Sequence, residues 1–92
     1  MKNPWYSVTL EREKPFNMIV ITDRNNDRLQ EYSLEYRTGN TWKTLFEGKA
    51  LTSQRVKIHR FDTVWGDAVR MKVQKSNGTA SIAEFGIYCE RK

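Results

Sequence analysis

Asn25, Asn26 and Arg28 stand together in the polar stretch 23–28, the densest polar group among the loops expected to share one end of the fold. Amide and guanidinium groups hold several donors and acceptors in fixed geometry, so Asn and Arg can each grip a pair of neighbouring hydroxyls. Asn77, next to Gly78, could add another amide, and Trp5 could supply a flat apolar face against which a ring packs. Each has an ordinary reading beside this one. Asn tolerates the left-handed backbone of a turn, and a tryptophan near a terminus can simply pack. Equipment for bond-breaking chemistry is missing. The lone His59 has no carboxylate or nucleophile at a meaningful spacing, and one His with one Cys leaves no set for a structural zinc site. The chain reads as a binding module rather than an enzyme, with no cofactor.

The elements that must position these residues are strands. In 68–75, Val69, Met71 and Val73 alternate with Arg70, Lys72 and Gln74, a period of two. The segment 54–61 alternates as well, and here Val56 and Ile58 are expected inside, with Arg55, Lys57 and His59 on the wet face. Further strands are expected over 6–11, 16–22, 31–37, 42–47 and 80–89. Lys14-Pro15 separates the first pair, because proline removes a ladder donor. Thr38-Gly39-Asn40-Thr41 is hairpin-turn chemistry, since Gly and Asn accept positive φ. No segment carries a sustained helical period. Short, regularly spaced strands between turn signals predict an all-β antiparallel sandwich.

If each strand reverses the last, Trp5 and the loops 23–28, 48–53 and 76–79 share one end, and 38–41 and 62–67 share the other. Loop clusters on rigid sheets are where such domains carry function. Trp42, at a strand start, and Trp65, at the far end beside Gly66, are expected to pack. Glu84 is the carboxylate expected to be partly buried, held by backbone or an arginine.

With 92 residues the chain makes one domain, and 38 % hydrophobic with 12 % aromatic residues suits a globular β fold. No apolar run approaches the roughly 18 residues of a membrane span, and Met1-Lys2-Asn3-Pro4-Trp5 has no signal-peptide core. The formal net charge of +5 invites a nucleic-acid reading through Arg55, Lys57, Arg70 and Lys72. The charges alternate in sign, however, as in Glu11-Arg12-Glu13-Lys14, which is the pattern of a solvated surface and argues against nucleic acid.

The order of segments also carries a resemblance. Phe16-Asn17-Met18-Ile19-Val20-Ile21, a polar loop and Tyr32-Ser33-Leu34-Glu35-Tyr36 are followed by a glycine turn with Trp42. Ala68-Val69-Arg70-Met71-Lys72-Val73 and a closing Glu84-Phe85-Gly86-Ile87-Tyr88 complete it. This resembles the later part of a coagulation factor 5/8 type C, or discoidin, domain. It is most similar to the galactose-binding-like modules of bacterial glycoside hydrolases, including the C-terminal domain of α-L-fucosidases. Thr38 stands where the family usually has an acidic residue before the turn glycine, and a full module begins earlier. The resemblance implies a jelly-roll sandwich, residues 1–92 being a single module excised from a larger protein and truncated at its N-terminus.

By the same resemblance the role is non-catalytic and accessory to a secreted hydrolase, extracellular or periplasmic. The implied partner is a galactose- or fucose-containing glycan, or the catalytic domain of the parent enzyme, with the module itself a monomer. Arg28, Asn26, Asn77 and Trp5 are the residues expected to bind substrate. A discoidin-type protein or membrane adhesion module is the alternative. Leu51 is the candidate apolar spike for it.

Overall fold

The computed structural model describes residues 5–23, 29–49, 56–76 and 82–90. They form five strands: β1 (Trp5–Asp23), β2 (Leu29–Thr38), β3 (Thr41–Lys49), β4 (Val56–Ser76) and β5 (Ile82–Tyr88). All pair antiparallel, in the order β3-β2-β4-β1-β5. The architecture is the expected all-β sandwich of jelly-roll type.

Its two layers come from one hydrogen-bonded sheet folded over. β1 and β4 are 19 and 21 residues long and run through both layers. The beginning of β1 and the end of β4 pair from Trp5↔Lys72 to Thr9↔Ala68, and β2 and β3 join them there. The end of β1 and the beginning of β4 pair from Met18↔Arg60 to Thr22↔Val56, and β5 joins them on the other side of β1. Between the two zones the register slips twice. Residues 10–13 of β1 bulge against Asp67, and residues 61–63 of β4 then bulge against Asn17. Bulges bend a strand and sharpen its twist, and this pair folds the sheet back on itself.

That corner corrects the sequence expectation at two places. Lys14-Pro15 does not end a strand, and 62–67 is not a loop, because both chains continue through the bend with Pro15 opposite Trp65. Proline is tolerated there because the ladder is already interrupted beside it. Trp65 does not pack: it is 59 % exposed on the outside of the bend. Gly66 is the packed residue, and a Cβ there would lie 2.8 Å from the Arg37 carbonyl oxygen and 3.1 Å from the Tyr36 ring.

The core between the layers is Phe16, Ile19, Ile21, Tyr32, Leu34, Val69, Met71 and Val73. Phe16 sits at the corner, edge-on to Tyr36 and to Phe61 at 6.1 Å each. Tyr32 and Phe46 of the first layer meet His59 of the second at 5.5 and 4.5 Å between ring centres. Gly39 and Asn40 close the β2–β3 hairpin with φ of 55° and 66°, the two positive values that a two-residue turn needs.

β4 turns the expected burial inside out. Lys57 and His59 are 1 % and 5 % exposed, while Val56 and Ile58 are 43 % and 42 % exposed. The register explains it. His59 lies opposite Ile19 and Lys57 opposite Ile21, and cross-strand partners share a face. Burying the two isoleucines therefore carries the lysine and the histidine inside. Glu84, expected to be partly buried, is exposed, and the buried carboxylate is Asp23.

Candidate functional site

The strand ends gather at one end of the sandwich, as strand reversal implies. Thr22 lies opposite Val56, Asp23 opposite Ile82, Leu29 opposite Ser76, and Glu31 opposite Lys49. The segments that leave these ends include Asn25, Asn26, Arg28, Leu51 and Asn77, all of which lie outside the described residues.

Beneath that end sits a buried polar group. Lys57 Nζ lies 3.2 Å from Asp23 Oδ2, with both side chains fully enclosed. The Tyr32 hydroxyl is hydrogen-bonded to His59 Nε2 across the layers. Burial lowers the His59 pKa to about 4, and burial with the Asp23 charge raises that of Tyr32 above the ordinary phenol range. Both are therefore neutral at pH 7, and which of the two donates is set by the histidine tautomer. Histidine and tyrosine here tie the layers together under the strand ends. Both side chains are buried.

Trp5 opens β1 opposite Lys72, four residues before the end of β4. Its indole is 49 % exposed on the outer face of the first layer, near the Arg70 guanidinium at 4.8 Å and Lys72 Nζ at 5.3 Å. Arg70 also stacks on Trp42 at 3.9 Å, and Arg37 lies 5.8 Å from the same ring. Arg37, Trp42, Arg70, Trp5 and Lys72 thus make a ladder of alternating cations and indoles across β2, β3, β4 and β1. Trp42 packs across its hairpin onto Arg37 and Arg70 and takes no place in the core. Two carboxylates steady the ladder from the side. Glu35 accepts from Arg70 Nε at 2.7 Å, and Asp67 accepts from Arg37 Nε at 2.9 Å. The second bond holds the Asp67 carboxyl below its ordinary pKa and Arg37 above its own.

Between the indoles a cleft of about 380 Å³ opens, lined by Trp5, Ser7, Thr9, Arg37, Trp42, Ala68 and Arg70. Small residues at 7, 9 and 68 make room, and large ones on the flanking positions make walls. Sequence reading missed Trp42, Arg37 and Arg70 as a group, although a signal existed. Arg37 and Trp42 are equidistant from the Gly39-Asn40 turn, which places them opposite one another, and Trp5, Ser7 and Thr9 alternate onto one face. Of the basic residues considered for nucleic acid, Lys57 is enclosed with Asp23 and Arg70 is paired with Glu35, while Arg55 lies outside the described residues. Among the described residues no three His, Cys, Asp or Glu side chains are placed to hold a metal ion. No helix of the described residues is long and apolar enough to cross a membrane.

Comparison with solved structures finds the same fold in several sugar-active proteins. A Ruminococcus gnavus family GH29 fucosidase, in complex with fucose, superposes with a TM-score of 0.83 at 27 % identity, covering 100 % of this chain and 19 % of that one. A Bacteroides thetaiotaomicron protein assigned as an α-L-fucosidase superposes at 0.85 with 24 % identity, over 95 % of this chain and 20 % of that one. The family 32 carbohydrate-binding module of Clostridium perfringens NanJ, in complex with galactose, gives 0.79 at 22 % identity, over 90 % and 64 %. The chain spans about a fifth of the fucosidases it matches. No curated protein matches it. The model of the F5/8 type C domain matches residues 1–85, so with this sandwich the chain belongs to the F5/8 type C domain family.

Proposed function

We propose that this domain is a non-catalytic accessory module of a secreted, α-L-fucosidase-like glycoside hydrolase, and that it binds a galactose- or fucose-containing glycan. The observation that carries this reading is the gathering of six strand ends around the rigid Asp23–Lys57 and Tyr32–His59 group. The segments that leave these ends carry Asn26, Arg28 and Asn77 in the sequence, and the R. gnavus fucosidase in complex with fucose and the NanJ module in complex with galactose share the fold. Without an aromatic platform in the strand-end loops, affinity is modest, with Kd of about 1 mM or weaker, near −4 kcal/mol. A titration of the 15N-labelled chain with galactose and with fucose tests it. Amide shifts are expected at Asp23, Lys49, Val56 and Ile82, and they should persist at high salt, unlike phosphate binding. Shifts confined to 38–41 and 62–67 would place the site at the wrong end.

A bracing role against the parent's catalytic domain is the second reading, and it too rests on a specific observation. The outer face of the second layer carries an apolar patch. Val20 lies there between Ile58 and Gly86, and Met18 between Arg60 and Tyr88, with Val56, Ile58 and Tyr88 all more than two-fifths exposed. Under this reading Ile58→Lys loosens the module from the catalytic domain of a full-length parent and leaves sugar shifts intact. Unchanged protease sensitivity at the junction would count against it.

A further inference from the structure

We propose that the cleft between Trp5 and Trp42 is a second carbohydrate site, on the outer face of the first layer, which takes a short neutral saccharide. The inference rests on the reading of the module as carbohydrate-binding and adds where, and by what chemistry, a further sugar is held.

Three features point to this ligand. The walls include two indoles: the cations of the ladder share their faces and hold them in place before any ligand arrives, and the apolar surface that stays exposed, as on the 49 % exposed Trp5, can meet the C–H groups of a pyranose. Polar groups converge on the space between them. Ser7 and Thr9 line the space with hydroxyls, and among the described residues Arg70 meets Glu35 through Nε, so its Nη groups can donate to a sugar oxygen. The charge balance then selects for neutrality: Arg70 and Arg37 are each matched by a carboxylate, so an anion gains little here that water does not already provide. A volume of about 380 Å³ lies toward the small end of ligand pockets, which run from roughly 300 to 1,000 Å³. That suits one or two rings rather than a long chain.

A nucleic acid or an acidic peptide would need the opposite balance.

The test is a titration of the intact 15N-labelled chain with lactose, followed at the three tryptophan indole N–H signals and at the strand-end amides. The expected result is movement of the Trp5 and Trp42 indoles, with Trp65 still, at midpoints that do not change with salt. Trp42→Ala should weaken this response at least about tenfold, the equivalent of 1.4 kcal/mol. Ser7→Gln fills the floor from an exposed position, so it should abolish the response without altering the melting temperature, which keeps the test decisive if Trp42→Ala folds poorly. Still indoles at lactose concentrations that saturate the strand-end amides would overturn the second site and leave the carbohydrate reading standing. Silence at both places, with lactose, galactose and fucose alike, would overturn the carbohydrate reading and this site with it.

Discussion

At the scale of single residues, the decisive ones are polar and buried. Lys57 and Asp23 form an ion pair in the interior, a geometry that adds little net stability but makes loss of either partner costly. His59 gives the clearest experimental handle. Its ordinary pKa of 6.5 falls to about 4 in the folded protein, through burial beside Tyr32 and above the Asp23–Lys57 pair. Between these values the unfolded chain binds a proton that the native chain does not. Stability is therefore complete above about pH 6.5 and declines as the pH falls toward 4, by on the order of 2–3 kcal/mol. The Arg37–Asp67 pair, whose carboxyl is held below its usual range, weakens only at still lower pH and so does not confuse the window. Thermal melts at pH 7 and pH 4.5 should show the loss, and His59→Phe, though less stable at neutral pH, should show a smaller one. Equal melting temperatures at the two pH values for the parent chain would contradict this account.

Two glycines govern the elements, for different reasons. Gly39 occupies positive φ in open space, so only backbone strain opposes a side chain there. Gly39→Val should cost about 1 kcal/mol or more, since a β-branched residue resists this conformation. Gly66 is the reverse, a packing glycine at the corner where β1 and β4 bend. A methyl group would press on the Arg37 carbonyl at 2.8 Å, and the neighbour is backbone that yields only with the sheet. Gly66→Ala should destabilise by about 1–3 kcal/mol through overpacking. Chemical denaturation of both variants checks the pair. An undisturbed Gly66→Ala would mean that the corner is looser than its contacts imply.

For the whole molecule, the folded-over sheet has a thermodynamic consequence. β1 and β4 belong to both layers, and Phe16 and the Tyr32–His59 contact bind the layers face to face. Neither layer has a separate backbone that could survive alone. Unfolding should then be a single cooperative step, with strand signal by circular dichroism and tryptophan fluorescence changing together. Fluorescence that shifts well before the strand signal is lost would show the outer ladder melting on its own. The two faces left outside are unlike one another, a polar cleft walled by indoles on the first layer and an apolar patch on the second.

Alternation, turn chemistry and segment order are local properties, and they were legible without coordinates. The sequence by itself determined an all-β chain, a hairpin at Gly39-Asn40 and a grouping of strand ends. It also determined which residues share a face: Lys57 goes with His59, and Val56 with Ile58. Which face looks inward was a different matter. A period of two says only that two sets are opposed, and here the apolar set lies outside because the pairing with Ile19 and Ile21 draws Lys57 and His59 in. The corner was hidden for a similar reason, since Pro15 and the 62–67 segment carry break signals locally and become bulges only when the two strands pair. The cleft needed both steps, the hairpin register that a reader could have found and the β1–β4 pairing that brings Trp5 beside Arg70. Long-range register decided what was buried, because partners on neighbouring strands must share a side.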